Sequence, residues 1–225
     1  YSKNMADVFF QELGVRAPDK FLQVNSSEIN AIVAALQPEL EADRPDLVVV
    51  YGDTNSTLAS AIAARNAKCK VAHVEAGLRS FDKKMPEEKN RLKIDKKSSY
   101  LFASTELGRK FLEAEKVKGK IFVVGNTVVD ACLHYAQKSE GSGILRTVGV
   151  EPGKYILLTA HRQENVDRPK RIVKLLNELA TIGQKIVFPM HPRTKKIFQE
   201  KGIRLPENIV GIDAVGYLEF LKLMK

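Results

Sequence analysis

Two carboxylates follow neighbouring apolar runs of the sequence, at places where α/β sheets bind ligands. Asp53 comes directly after the apolar run 47–51, and Glu75 comes directly after the mostly apolar run 71–74. Each run predicts a buried parallel strand, and open α/β sheets bind ligands at the carboxyl ends of their strands. Asp53 taken alone is equally explained as the cap of a helix that begins near Thr54. No obvious helix follows Glu75, so the pair favours a ligand site at one edge of a sheet.

Two histidines occupy matching places later in the chain. His161 follows the apolar run 155–160 with Arg162 beside it, and His191 follows the run 185–190 with an arginine two residues later. A single histidine is more often structural. Two at matched strand ends, each near an arginine, indicate polar groups around a negatively charged ligand. Neither His-x-x-x-His nor Cys-x-x-Cys occurs, so no metal site is expected.

The sequence contains none of the usual glycine-rich phosphate loops. Both G-x-x-x-x-G-K-[ST] and G-x-G-x-x-G are missing, which disfavours a P-loop nucleotidase and a dinucleotide-dependent dehydrogenase. Phosphate would instead be held by NH groups at helix amino termini and by arginine side chains. The candidates are Arg79, Arg91 and Arg162. A solvated surface position is the simpler interpretation of any one of them alone.

Helical and strand patterns alternate almost throughout the chain. Short apolar runs predict strands, and apolar residues at helical spacing predict covering helices, as over 5–14 and 168–183. The predicted strands are 47–51, 71–74, 100–103, 121–124, 155–159 and 186–190. This alternation predicts an α/β fold whose parallel sheets are covered on both faces.

The alternation lapses between Gln137 and Lys154, where serine, glycine and proline interrupt the pattern. We therefore predict two domains, residues 1–138 and residues 139–225. The second series of strands and helices stops inside an apparent helix over 217–224, so the second domain is expected to be partial.

Composition and charge narrow the class of protein. Of the 225 residues 44% are apolar, but no run of about eighteen apolar residues could span a bilayer, and no secretory pattern opens the sequence. The two cysteines suit small buried side chains in a reducing compartment, so a cytoplasmic protein without membrane contact is expected. The net charge of +9 is spread without interleaved aromatic residues, so no nucleic-acid partner is expected either.

Five motifs follow one another along the chain. They are Gly52-Asp53-Thr54, His73-Val74-Glu75-Ala76-Gly77-Leu78-Arg79, Pro86-Glu87-Glu88-Lys89-Asn90-Arg91, Gly125-Asn126-Thr127-Val128-Val129-Asp130 and His161-Arg162-Gln163-Glu164-Asn165. In type, order and spacing they resemble the motifs of the non-hydrolysing UDP-N-acetylglucosamine 2-epimerases, across nearly the whole chain. The resemblance implies a GT-B architecture, in which two Rossmann-like domains with parallel sheets face each other across a cleft.

The resemblance also implies an activity, the reversible conversion of UDP-N-acetylglucosamine to UDP-N-acetylmannosamine. The C2 proton of the sugar is only weakly acidic, so the family eliminates UDP to leave a 2-acetamidoglucal and then adds UDP back with the opposite C2 configuration. Such a route needs groups that move protons. Asp53, Glu75 and Glu87 match the family's catalytic carboxylates, and His161 matches its active-site histidine. The residues assigned to binding the UDP-sugar are Arg79, Arg91, Arg162, Glu164 and His191. No cofactor is implied, and a homodimer is expected.

The chain also departs from the family pattern. Family members usually begin with a turn containing Gly-Thr-Arg-Pro-Glu and later carry Asp-Ser-Gly-Gly, and neither occurs here. Lys96 stands where a histidine commonly follows the aspartate that matches Asp95. Two alternatives therefore stay open: a GT-B glycosyltransferase that uses a sugar-nucleotide donor, and a non-catalytic module that binds a sugar nucleotide. The set of three carboxylates favours the epimerase.

Overall fold

Strands and helices alternate along the residues that the structure describes, 10–160 and 169–225 of a computed structural model. The elements up to residue 136 are α1 (Ile29–Asp43), β1 (Leu47–Tyr51), α2 (Asn55–Asn66), β2 (Lys70–Ala76), α3 (Pro86–Lys97), β3 (Tyr100–Ala103), α4 (Glu106–Ala114), β4 (Lys120–Val123) and α5 (Thr127–Ala136). The later elements are a 3₁₀ turn (Lys138–Gly141), α6 (Ile144–Val148), β5 (Tyr155–Leu157), α7 (Pro169–Ala180), β6 (Lys185–Met190), α8 (Pro192–Glu200), β7 (Ile209–Asp213) and α9 (Tyr217–Met224). Within these described ranges no helix is long and apolar enough to cross a membrane.

The described residues form two compact units, each with its own sheet. The first unit is Pro18–Asp130, whose strands pair in the order β1-β2-β3-β4. The second unit takes the described residues before Pro18 and after Asp130, and its strands pair in the order β5-β6-β7. Every one of these pairs is parallel. The α/β class predicted from the alternation of elements is confirmed.

The apolar core of the first unit lies on one face of its sheet. Alternate residues of a strand point to opposite faces, and Val50 and Leu101 are buried on the same face. They pack in clusters with helix residues Leu58, Ile94 and Leu112. On the opposite face Val49, Tyr51 and Phe122 are exposed. The predicted covering of both faces therefore holds on this face at Ala72 of β2, which is fully buried, but not at these residues of β1 and β4 within the described part of the chain.

The second unit is built around β6, its central strand. Ile186 and Phe188 pack on one side with a cluster that includes α7, while Val187 packs on the other side with α6 and α9. A strand covered on both faces reads as a continuous apolar run, which is why β6 was predictable. Strand β7 was not predicted, because Gly211 at its centre and Asp213 at its end weaken the strand pattern.

The division between the units differs from the predicted boundary at residues 138 and 139. Residues 131–138 belong to the second unit because they contact its own elements. Tyr135 Oη donates to the Leu13 carbonyl at 3.0 Å, and Lys138 Nζ donates to the Glu12 carbonyl at 2.8 Å. The Glu12 carboxylate in turn accepts from backbone NH groups at the start of α9 at 2.8 and 3.0 Å. The helical residues 10–13 therefore join the second unit, although they precede the first unit in sequence.

Candidate active site

The loop after β1 holds Asp53 at the carboxyl edge of the first sheet. Gly52 has a φ of 75°, which glycine adopts at little cost. Its NH donates to the Val74 carbonyl at 3.1 Å, so β1 and β2 stay paired up to the loop. Helix α2 is capped by Thr54, whose Oγ1 accepts from the Thr57 NH at 3.3 Å. The alternative in which Asp53 caps this helix is thus wrong, and the Asp53 carboxylate has another partner.

Helix α3 supplies that partner. Arg91 Nη2 donates to Asp53 Oδ2 in an ion pair, and Asn90 Nδ2 donates to the Asp53 carbonyl at 2.9 Å. The Arg91 side chain is 12% exposed and that of Asp53 is 22% exposed, so water screens the pair only partly. Arg91 Nε is buried without a hydrogen-bond partner among the described residues. The guanidinium therefore holds Asp53 and leaves one buried N–H donor unsatisfied among the described residues.

Glu75 lies at an irregular point near the end of β2. Its φ is 70°, and the register of β2 against β3 shifts between Val74 and Ala76. A residue with a side chain pays roughly 1–2 kcal/mol for this left-handed conformation. A methyl group placed on Gly52 would lie 3.6 Å from Glu75 Oε2, so this carboxylate is beside the residue that precedes Asp53. It makes no hydrogen bond or ion pair with any other described residue. Strain of this kind clusters at functional sites.

Two glutamates in the first turn of α3 have different surroundings. Glu88 is 3% exposed, and its Oε2 accepts from the NH and the Oγ of Ser80 at 2.8 and 3.0 Å. Glu87 is exposed and lies four residues before Arg91, on the same face of the helix. Glu88 thus fixes the preceding loop. Glu87 lies on the face of α3 that also bears Arg91, the partner of Asp53.

Arg79 is occupied by carboxylates of its own chain. Its side chain is 1% exposed, and Nη2 donates to Asp95 at 2.6 Å and to Glu115 at 2.7 Å. Burial opposes the charge of Arg79, but the hydrogen bond to Glu115 and the attraction of Asp95 outweigh it and raise the pKa of the guanidinium. Arg79 is therefore a fixed buried cation. This differs from the predicted contact with substrate phosphate.

A buried histidine that opens the second of the five motifs, and to which the sequence assigned no role, connects these groups. His73 lies in β2 on the core face, with no exposed surface. Its Nδ1 lies 2.7 Å from Asp95 Oδ1, and its Nε2 lies 2.8 Å from the Gly52 carbonyl oxygen. The available signal was a polar residue within the apolar run 71–74, between buried Ala72 and half-buried Val74. His73 thereby ties the Asp53 loop to α3.

Comparison with known proteins decides the family. The family model described as UDP-N-acetylglucosamine 2-epimerase matches residues 1–225. The chain belongs to this family. Two relatives show its range. A UDP-N-acetylglucosamine 2-epimerase of Methanocaldococcus jannaschii is 46% identical over 241 residues, covering 100% of this chain and 66% of that protein. A UDP-2,3-diacetamido-2,3-dideoxy-D-glucuronate 2-epimerase of Pseudomonas aeruginosa is 38% identical, covering 100% of this chain and 65% of that protein.

A solved structure of the family supports the fold. The crystal structure of the Methanocaldococcus jannaschii UDP-GlcNAc 2-epimerase in complex with UDP-GlcNAc and UDP aligns with a TM-score of 0.87 at 43% identity. The alignment covers 99% of this chain and 66% of that one. The GT-B-like class of two Rossmann-like units with parallel sheets is thereby confirmed. The chain spans slightly less than two thirds of the length of these relatives.

The remaining residues predicted for an epimerase site lie in the later part of the chain. His161, Arg162 and Glu164 are outside the described residues. His191 belongs to the second unit and caps α8, because its Nδ1 accepts from the Arg193 NH at 3.2 Å. Its ring is exposed. In the described part of the chain no three His, Cys, Asp or Glu side chains form a group that could hold a metal ion.

Proposed function

We propose that the full-length protein interconverts UDP-N-acetylglucosamine and UDP-N-acetylmannosamine. Membership of the family supports the class of reaction, and the relative solved in complex with UDP-GlcNAc and UDP supports the class of substrate. The observation that carries the proposal is Glu75, whose backbone is strained and whose carboxylate lies beside the loop that holds Asp53. A residue in a strained conformation lowers the stability of the fold, and so proteins keep such residues where they act on a ligand. The Glu75 carboxylate also has no partner among the described residues.

The proposed reaction is an elimination followed by an addition. A carboxylate removes the proton from C2 while the bond between C1 and the diphosphate oxygen breaks, which leaves UDP and 2-acetamidoglucal. UDP then bonds to C1 again, and a proton returns to C2 on the opposite face. Asp53, Glu75 and Glu87 share these proton transfers and the assistance to the leaving group. The electrons of the C2–H bond end in the sugar double bond and return from it, so no redox cofactor is needed.

Charge on the departing diphosphate needs cations or hydrogen-bond donors beside it. Arg91 is suited to this role because its guanidinium lies beside Asp53, one of the proposed catalytic carboxylates. By family resemblance we assign His161 to the same task, and Arg162, Glu164 and His191 to holding the UDP-sugar. Arg79 is not among the residues proposed to hold the UDP-sugar, since two carboxylates of the chain bind its guanidinium.

The experiment that tests the proposal is proton NMR of UDP-N-acetylglucosamine incubated with the full-length protein. The mannosamine isomer should accumulate to an equilibrium that is also reached from the other side. In deuterated water the product should carry deuterium at C2. Full retention of the original hydrogen would contradict the exchange of protons through these carboxylates.

Two further outcomes would identify other activities. The Pseudomonas aeruginosa relative is named for a different UDP-sugar, so UDP-2,3-diacetamido-2,3-dideoxy-D-glucuronate is the second substrate to assay. A glycosyltransferase would release UDP only when an acceptor is added, and a binding module would retain UDP-sugar without any turnover. Sedimentation of the full-length protein tests the homodimer expected from the family.

A further inference from the structure

Both ring nitrogens of His73 face hydrogen-bond acceptors. Asp95 Oδ1 lies 2.7 Å from Nδ1, and the Gly52 carbonyl oxygen lies 2.8 Å from Nε2. A carbonyl oxygen and an ionised carboxylate can both accept hydrogen bonds, and neither can donate one. A neutral imidazole has one N–H. It would leave a nitrogen lone pair against an oxygen lone pair, at a site where His73 and Asp95 are both fully buried and water cannot relieve the repulsion.

The other contacts of Asp95 favour its ionised form. Its Oδ2 accepts from Arg79 Nη2 at 2.6 Å and from the Gly77 NH at 3.3 Å. Arg79 also binds Glu115, whose side chain is 26% exposed at the outer end of the chain of contacts. Glu115, Arg79 and Asp95 thus alternate in charge, and a protonated His73 would complete a row of four with no net charge. Buried charges persist in proteins when they are paired and hydrogen-bonded in this way.

We propose that His73 is an imidazolium at neutral pH that positions Asp53 by donating to the Gly52 carbonyl. The ring would donate to the carbonyl of the peptide that joins Gly52 to Asp53. The Gly52 NH donates to the Val74 carbonyl at 3.1 Å, so both polar groups of Gly52 are held. The other charged groups near the loop are Arg91, bound to the Asp53 carboxylate, and Glu75, beside Gly52.

His73 is a positioning residue, because it contacts the backbone of the loop and none of the proposed catalytic carboxylates. The effect of His73 on turnover rests on the proposed function. Its charge state does not, since that follows from the hydrogen-bond partners alone.

The charge state is read by nitrogen NMR of the full-length protein labelled with ¹⁵N-histidine, without substrate. The sequence has four histidines, and the buried ring is assigned through its correlations with the His73 backbone. Both nitrogens of His73 should carry protons at neutral pH. A nitrogen of the unprotonated type on His73 at neutral pH would overturn the proposal. If Asp95 held the proton instead, Nδ1 of His73 would be unprotonated, and that outcome would also overturn the proposal.

A conservative change at Asp95 tests the same point in a different way. In the Asp95→Asn variant the new side-chain amide would offer its NH₂ group to Nδ1, and His73 would then need only the proton on Nε2. The NMR signal of Nδ1 should change to the unprotonated type in this variant alone. If His73 keeps both protons without the Asp95 carboxylate, the contacts described here do not set its charge.

The positioning role is tested by His73→Asn, with His134→Asn as the matched control at an exposed histidine of the second unit. A catalytic group displaced by about 1 Å loses on the order of 10²-fold in rate. We expect kcat of the His73 variant to fall by about 10- to 100-fold while KM changes by less than about threefold. The control should match the wild type. A folded His73 variant with unchanged kcat would refute the positioning role. An inactive wild type would refute the proposed epimerase and leave the NMR result standing.

Discussion

The carboxylate of Asp53, on the loop after β1, is bound by the guanidinium of Arg91 on α3. The contact joins the first strand-end carboxylate to a helix that follows Glu75 in the sequence and carries Glu87 in its first turn. Because Thr54 caps α2, the Asp53 side chain has no part in starting that helix. The chemistry of Asp53 and the stability of α2 can therefore be separated by mutation.

Asp53→Asn should reduce turnover of the full-length enzyme by about 10²- to 10⁴-fold, the usual contribution of an acid or base. Asparagine has the same size and leaves the Thr54 cap in place. Loss of the partly shielded contact with Arg91 should cost on the order of 1 to 2 kcal/mol of unfolding free energy. Turnover and Tm are measured together, with Asp43→Asn at an exposed helix end as the control. Near-normal turnover would remove Asp53 from the mechanism.

Much of the first sheet could be predicted from sequence because its strands are short apolar runs. Strand β1 was predicted at its observed bounds, 47–51, and β3 at 100–103. The bounds of β2 were less exact, since Lys70 begins it and Glu75 lies within it. The bulge at Glu75 depends on pairing with β3. Pairing between segments distant in sequence leaves no local pattern to read.

Glu75→Ala and Glu75→Gly should both abolish most activity, but they should differ in stability. Both remove the carboxylate, and only alanine keeps a Cβ in the left-handed conformation that Glu75 adopts. The glycine variant should therefore be more stable than the alanine variant, by up to about 1 kcal/mol after the greater freedom of glycine in the unfolded chain is subtracted. Urea unfolding of the two proteins measures the difference. A more stable alanine variant would mean that residue 75 is not strained.

The roles of the arginines could not be predicted from sequence. Arg79 and Arg91 looked equivalent, because each is the last residue of a motif and each could bind phosphate. The structure separates them through distant partners: Arg79 meets Glu115, 36 positions away, and Arg91 meets Asp53, 38 positions away. Which cations a fold neutralises internally depends on tertiary contacts. The role of His73 escaped prediction for the same reason, since its partner Asp95 lies 22 positions away.

Glu140→Gln should flatten the acid dependence of stability. Hydrogen bonds from Lys222 and Lys225 lower the pKa of Glu140 from 4.5 to about 2. A pKa lowered by folding stabilises the protein fully above pH 4.5, and this contribution is lost as the pH falls toward about 2. The wild type and the variant should therefore differ above this range and converge below it. The difference should be small and should shrink in high salt, because Glu140 is exposed. Urea unfolding at a series of pH values measures it, and a constant difference down to the lowest pH would contradict the assignment.

Gly77→Ala should destabilise the first unit strongly, because two separate costs meet at this residue. Gly77 has a φ of 77°, and a Cβ there would overlap the Gly108 carbonyl oxygen and lie 2.8 Å from its carbon. The neighbour is backbone at the start of α4, so it cannot turn aside as a side chain would. Gly125→Ala is the matched control, since Gly125 has a φ of 84° in the same unit and no described atom within 4 Å of its Cβ position.

The control should cost about 1 to 2 kcal/mol, for the backbone conformation alone. Gly77→Ala should cost roughly 1 to 3 kcal/mol more, the usual penalty for forcing an extra carbon into a packed site. Displacement of the Gly77 backbone should also disturb the proposed active site, because the Gly77 NH donates to Asp95 and Asp95 holds His73. Urea unfolding of both variants gives the two costs. Equal values would show that β2 and α4 do not approach as closely at Gly77 as the structure places them.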